Sequence, residues 1–155
     1  MKLLKSMMVA MTLLLGVSCN WFDEGETFPP ITSLDHTDWY WVGELPQEEG
    51  DTEKRYIYYT LSFLGDSQGR LVSSDAKEDG NILKESLFTY SFINPGLSVE
   101  FYDGGRYQGY VVPKGEIKVD YKDVYLIQLF GVDEDGLPIL NERGEYADTM
   151  LFWRE

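Results

Sequence analysis

The chain has 155 residues, 43% of them apolar and 15% aromatic, and its 13 Lys and Arg against 27 Asp and Glu give a formal charge of −14. That apolar content excludes a disordered chain, and the length suits one domain around one core. The acidity argues against nucleic acid as a partner, because like charge repels phosphate, and favours cationic proteins, divalent cations or simple solubility.

At the start, Lys2 and Lys5 precede an almost wholly apolar run at 7–15, which ends in the small residues Gly16, Val17 and Ser18. This is the three-part layout of a secretory signal, and the run is far short of the roughly 20 apolar residues that span a bilayer. Leu15-Gly16-Val17-Ser18-Cys19 then resembles a bacterial lipobox. A strict lipobox has Leu three residues before the cysteine; here Gly16 stands there and Leu15 lies one step further out, a looseness similar to that of Bacteroidetes lipoproteins. The resemblance implies cleavage before Cys19, a diacylglyceryl group on its thiol, and a protein tethered to a membrane of the bacterial cell envelope, the outer membrane first, facing the periplasm or the surface. An ordinary secretory signal with an incidental cysteine is the alternative. Loss of residues 1–18 removes two lysines and no acid, so the formal charge moves from −14 to −16. Cys19 is the only cysteine, which leaves no internal disulfide, and the fold must hold by packing.

Residues 19–35 read as the lipidated cysteine and a flexible spacer, with Asp23, Glu24, Glu26 and Pro29-Pro30 and little periodicity. A β domain is expected over 36–155. From Asp38 onward, apolar and aromatic runs alternate with Gly, Asn, Asp and Pro at the spacing of a sandwich or barrel. Nine strands are expected, at 39–45, 56–64, 70–74, 86–93, 97–102, 107–112, 116–121, 124–132 and 149–154, while 76–84 could hold a loop or a turn of helix. Asn94-Pro95-Gly96, Asp103-Gly104-Gly105 and Pro113-Lys114-Gly115 each place Gly where a tight connection needs positive φ, so successive hairpins and an antiparallel meander follow.

Leu97, Val99 and Phe101 alternate with Ser98, Glu100 and Tyr102, as do Ile117, Val119 and Tyr121 with Glu116, Lys118 and Asp120, each giving one buried and one wet face. The run at 56–64 differs: Ile57, Tyr59, Leu61 and Phe63 share a face, yet Tyr56 and Tyr58 make the other aromatic as well. Residues 86–93 repeat this, with Phe88, Tyr90 and Phe92 opposite Leu87 and Ile93. Apolar character on both faces fits a buried centre strand or a strand that lines a ligand cavity.

The order of elements (lipid cysteine, short tether, first strand with Trp39 and Trp41, meander, last strand ending Phe152-Trp153-Arg154) resembles the small lipocalin-like lipoproteins of Bacteroidetes over residues 34–155. True lipocalins carry Gly-x-Trp on the first strand, and Thr37-Asp38-Trp39 keeps only the Trp. The resemblance implies an all-β, eight-stranded or near-eight-stranded up-and-down barrel whose mouth holds a small apolar molecule.

Catalytic chemistry is sparse. His36 is the only histidine and lies at the end of the spacer, and Cys19 is consumed by lipid, so a nucleophile with a histidine base is excluded. Cys and His metal sites are impossible for the same reason. Asp75-Ala76-Lys77-Glu78-Asp79-Gly80 imitates the start of an EF-hand, but Lys77 takes the third ligand place and Ser86 the twelfth, where carboxylate is required. Asp133-Glu134-Asp135-Gly136 reads as a charged hairpin tip. No metal and no cofactor are expected.

The leading expectation is a non-enzymatic binding lipoprotein that holds a small apolar or amphipathic ligand, with Ile57, Tyr59, Phe63, Tyr90 and Phe92 as pocket residues. One alternative is an acidic module that meets a basic protein partner, as small periplasmic inhibitors of lysozyme do. Another is glycan binding through Trp39, Trp41 and Trp153, whose rings could stack on sugars or simply pack in the core.

Overall fold

The computed structural model describes residues 28–46 and 53–155, and Cys19 and the signal segment lie outside them. Among the described residues, eight strands run in sequence order: β1 (Thr37–Glu44), β2 (Tyr56–Gly65), β3 (Gln68–Ser74), β4 (Ile82–Ile93), β5 (Gly96–Phe101), β6 (Arg106–Val119), β7 (Lys122–Gly131) and β8 (Thr149–Arg154). Each pairs antiparallel with the next, and β8 returns to β1, so the sheet closes into a ring with no helix in it.

Eight strands stand where nine were expected because β6 is continuous. Pro113-Lys114-Gly115 is not a hairpin turn; it lies within a register shift between Val112 and Ile117, beyond which β6 still pairs with β7. Proline lacks the N–H that a ladder needs, and Gly115 takes φ +98°, so the chain bulges there and resumes the same partner. Gly104 takes positive φ as its turn requires, whereas Gly96 does not, and the β4–β5 turn contains a cis Asn94–Pro95 peptide. The ambiguous stretch at 76–84 resolves into a loop and the first residues of β4, with the Asp75 carboxylate accepting from the Asn81 backbone and side-chain amides at 2.7 and 2.9 Å.

Period-two alternation fills the ring. Cross-strand partners Phe63, Gly69, Phe88 and Phe101 form one row of the interior; Phe92, Leu97, Gly109 and Leu129 form another. Gly69 is what lets Phe88 lie across the first row, because a Cβ there would meet the Phe88 ring at 2.2 Å. Phe63 meets Tyr90 edge-on at 4.8 Å between centroids and Phe88 at 5.7 Å, and Phe88 meets Phe101 at 5.3 Å. Such pairs each contribute about 0.5–1.5 kcal/mol beyond the burial of their area.

The spacer reading ends early, since its last residues belong to the domain. Leu34 is 1% exposed within the core and Ile31 packs against it. Thr37 donates its hydroxyl hydrogen bond to the Leu34 carbonyl and accepts from the buried Trp39 indole at 2.9 Å. Tyr125 donates to the Pro29 carbonyl at 3.0 Å and Tyr90 to the Asp35 carboxylate. Residues 28–36 thereby close the end of the ring at which β1 begins.

Two tyrosine–carboxylate contacts predict how the fold responds to alkali. Burial first, then hydrogen bonds to Asp35 and Asp148, push Tyr90 and Tyr107 well above the ordinary phenol range. Tyr107 reaches Asp148 at 2.6 Å and so ties the β7–β8 connection to β6. A pKa raised in the folded state contributes stability that is complete below the unfolded value of about 10 and is lost as pH rises past it, since the unfolded chain releases the protons first. Urea midpoints should fall steeply from pH 10 to 12, and Tyr90→Phe with Tyr107→Phe should flatten that slope. An equal slope in the double variant would show that other groups set it.

Candidate functional site

The ring has a weak seam. Along β1 every residue from Thr37 to Glu44 pairs with β2, but among the described residues β1 meets β8 at one pair, Tyr40 with Trp153. An outer cleft of about 720 Å³ opens over this seam. Partners opposite each other share a face, so Tyr40, Val42, Tyr58, Thr60 and Trp153 all project outward into it. Tyr40 and Val42 are 40% and 42% exposed, a high exposure for apolar side chains on a sheet.

Trp41 and Tyr59 supply the floor. They point the other way along their strands and stack at 4.8 Å and 20°, with Trp41 also edge-on to Phe152 at 6.3 Å. Both pack against the core and are among the residues that line the cleft. The rim is polar, with the charged Asp38, Lys77, Asp120, Arg154 and Glu155 beside His36. Lys122 bonds Glu155 at 2.7 Å and holds its carboxyl below the usual carboxylate range, so the rim keeps that negative charge in mildly acidic solution. An apolar aromatic floor with polar groups at its edge is the make-up of a small-ligand site.

The expected pocket residues divide. Tyr59 lines the cleft, while Phe63 and Tyr90, 1% and 9% exposed, are packed inside the ring, and Phe92 rests against that core. Ile57 is half-buried on β2 and is not among the cleft residues. Of the tryptophans, Trp41 and Trp153 line the cleft, whereas Trp39 is fully buried and presents no face to a ligand. Tyr40, Val42 and Tyr58 were not singled out in the sequence, although Trp39 and Trp41 on one face do imply that Tyr40 and Val42 occupy the other.

A second cleft of about 560 Å³ lies outside β4, β5 and β6, beneath residues 133–136. Thr89, Ser91, Ser98 and Gln108 face it, and Arg106 bridges the Glu100 carboxylate at 3.0 Å and the Glu134 carbonyl at 3.3 Å. Among the described residues no group of three His, Cys, Asp or Glu is placed to hold a metal, and no helix is long and apolar enough to cross a membrane. Comparison with known proteins gives no significant match to any protein-family model, curated protein or solved structure.

Proposed function

We propose that the chain is a non-enzymatic binding lipoprotein of the bacterial cell envelope, held to a membrane by lipid on Cys19, and that it takes a small amphipathic molecule in the cleft over the β1–β8 seam. The observation that carries this reading is the floor of Trp41 and Tyr59 continuous with exposed Tyr40 and Val42 and half-buried Trp153. A lipocalin-like barrel is the architecture that suits it. Support comes from eight sequential strands closed on themselves.

The test uses the mature chain as Cys19→Ser with an anilinonaphthalene sulfonate probe. One saturable site is expected, weakened about tenfold or more by Tyr40→Ala with Trp153→Ala, since burial of each large ring contributes about 1.5–3 kcal/mol. Binding that survives those changes but is lost in Phe92→Ala would move the site into the ring. Glycan binding is the second reading, favoured by Tyr40 and Trp153 standing side by side on the outer face, where sugar rings could stack. Displacement of the probe by glycans rather than by extracted lipids would select it.

A further inference from the structure

We propose that the end of the ring through which the chain arrives from Cys19 lies against the bilayer, with Tyr121, Ile93 and Leu64 seated in the lipid headgroup layer. This rests on lipidation of Cys19 and adds to it an orientation and a contact surface.

The first support is reach. Cys19 and Phe28 are nine residues apart, so the lipidated residue lies within about 30 Å of Phe28 even if the chain between is fully extended. Phe28 sits on the β6–β7 hairpin, with the Lys114 ammonium 5.0 Å from its ring centroid, and shares a hollow of about 310 Å³ with Tyr121 and Lys122. The domain is therefore leashed at one end.

The second support is what that end displays. An exposed apolar or aromatic side chain stands in or beside each of its three turns: Leu64 near the end of β2 at 46%, Ile93 at the end of β4 at 80% and Tyr121 in the β6–β7 turn at 98%. Tyr121 is the most telling. Asp120 and Tyr121 form the two-residue β6–β7 turn at φ +49° and +67°, where Asn and Gly are the usual residues. A bulky side chain at positive φ is conformationally unfavourable, and at 98% exposure this one gains no packing within the domain. A phenol ring at a bilayer surface gains both, with its apolar body among acyl chains and its hydroxyl in the headgroups.

Charge orients the domain the same way. On the hairpin, Lys114, Lys118 and Lys122 balance Glu116, Asp120 and Asp123, and the same end adds Asp35, Asp38, Asp66 and Glu155 against Arg154. At the opposite end the β7–β8 connection holds Asp133, Glu134, Asp135, Glu142, Glu145 and Asp148 against Arg143 alone. Even the shortest strands, at about 3.3 Å per residue and tilted as in closed sheets, hold these acids about 15 Å from the other end, beyond a Debye length of about 10 Å. Anionic lipid therefore repels the end that holds the β7–β8 connection more than the other.

The experiment uses the full chain, processed in a bacterial host and reconstituted in vesicles of phosphatidylethanolamine and phosphatidylglycerol with a nitroxide-headgroup quencher. A fluorophore goes on Glu116→Cys or on Asp135→Cys, since lipid occupies the native thiol. The label at 116 should be quenched severalfold more than the label at 135, and Tyr121→Asp with Ile93→Asp should remove most of that difference while leaving the urea midpoint unchanged. Equal quenching of the two labels on protein whose Cys19 is shown by mass spectrometry to be acylated overturns the orientation alone. Absence of acyl chains on Cys19 overturns the anchored reading, and the orientation with it. Protection of residue 116 in cells but not in vesicles assigns this end to a protein partner and also overturns the proposal.

Discussion

Phe88→Ala is expected to destabilise the domain by about 3–5 kcal/mol, a large share of the roughly 5–15 kcal/mol that holds a typical domain folded. Phe88 is 0% exposed and its ring meets Phe63 at 5.7 Å, Phe101 at 5.3 Å and Tyr90 at 6.4 Å, across a strand whose Gly69 exists to admit it. Truncation removes the transfer free energy of the ring and leaves a void that neighbours on four strands cannot all collapse into. Its neighbour Leu87 is 47% exposed on the outer face, and Leu87→Ala should change stability by about 0.5 kcal/mol or less. Urea unfolding of the mature chain measures both. A loss below about 1 kcal/mol for Phe88→Ala would mean a loosely filled interior, and would return the ligand site to Phe63, Tyr90 and Phe92.

Cys19→Ala carries the largest expected change in behaviour, a transfer from the membrane fraction to the aqueous one or retention as uncleaved precursor. Burial of acyl chains contributes about 0.8 kcal/mol per methylene, and two long chains hold a protein where one does so only reversibly. Among the described residues no helix is long and apolar enough to cross a bilayer. In the native host the parent protein should fractionate with membranes and carry acyl chains on Cys19, and the variant should do neither. A mature N-terminus elsewhere, with a free Cys19 thiol, would contradict the account.

Legibility in the sequence followed the range of the forces involved. Strand alternation is local, and β5 shows it directly: Leu97, Val99 and Phe101 are buried between exposed neighbours. Pro113-Lys114-Gly115 misled because its turn chemistry is real, while the pairing that makes it a bulge comes from β7, across a register no local window contains. Leu34 was missed for a related reason. A residue that plugs the end of a ring has no periodic companions, so its segment reads as spacer although it is 1% exposed. Gly109 likewise gives no local signal, yet a Cβ there would lie 1.8 Å from the Gln128 carbonyl oxygen.

The candidate site was legible only in pieces. Tyr59 drew attention as part of a two-sided apolar strand, and Trp41 and Trp153 as rings suited to sugars, under two different expectations. What joins them is the meeting of the first strand with the last, a contact between residues over a hundred positions apart that closure of the ring creates. Burial then separates Trp39, which holds the core, from Trp41 and Trp153, which line the cleft, a distinction that similar strand contexts conceal.

Indole resonances offer the most direct test of the proposed cleft. In the mature chain with Cys19→Ser, the side-chain N–H signals of Trp39, Trp41 and Trp153 can be assigned by single substitution and followed while the amphipathic probe is added. The account predicts that Trp41 and Trp153 shift together along one saturable isotherm while Trp39, buried and donating to Thr37 at 2.9 Å, stays still. Movement of Trp39 with Trp153 unmoved would contradict it, and would place the ligand inside the ring.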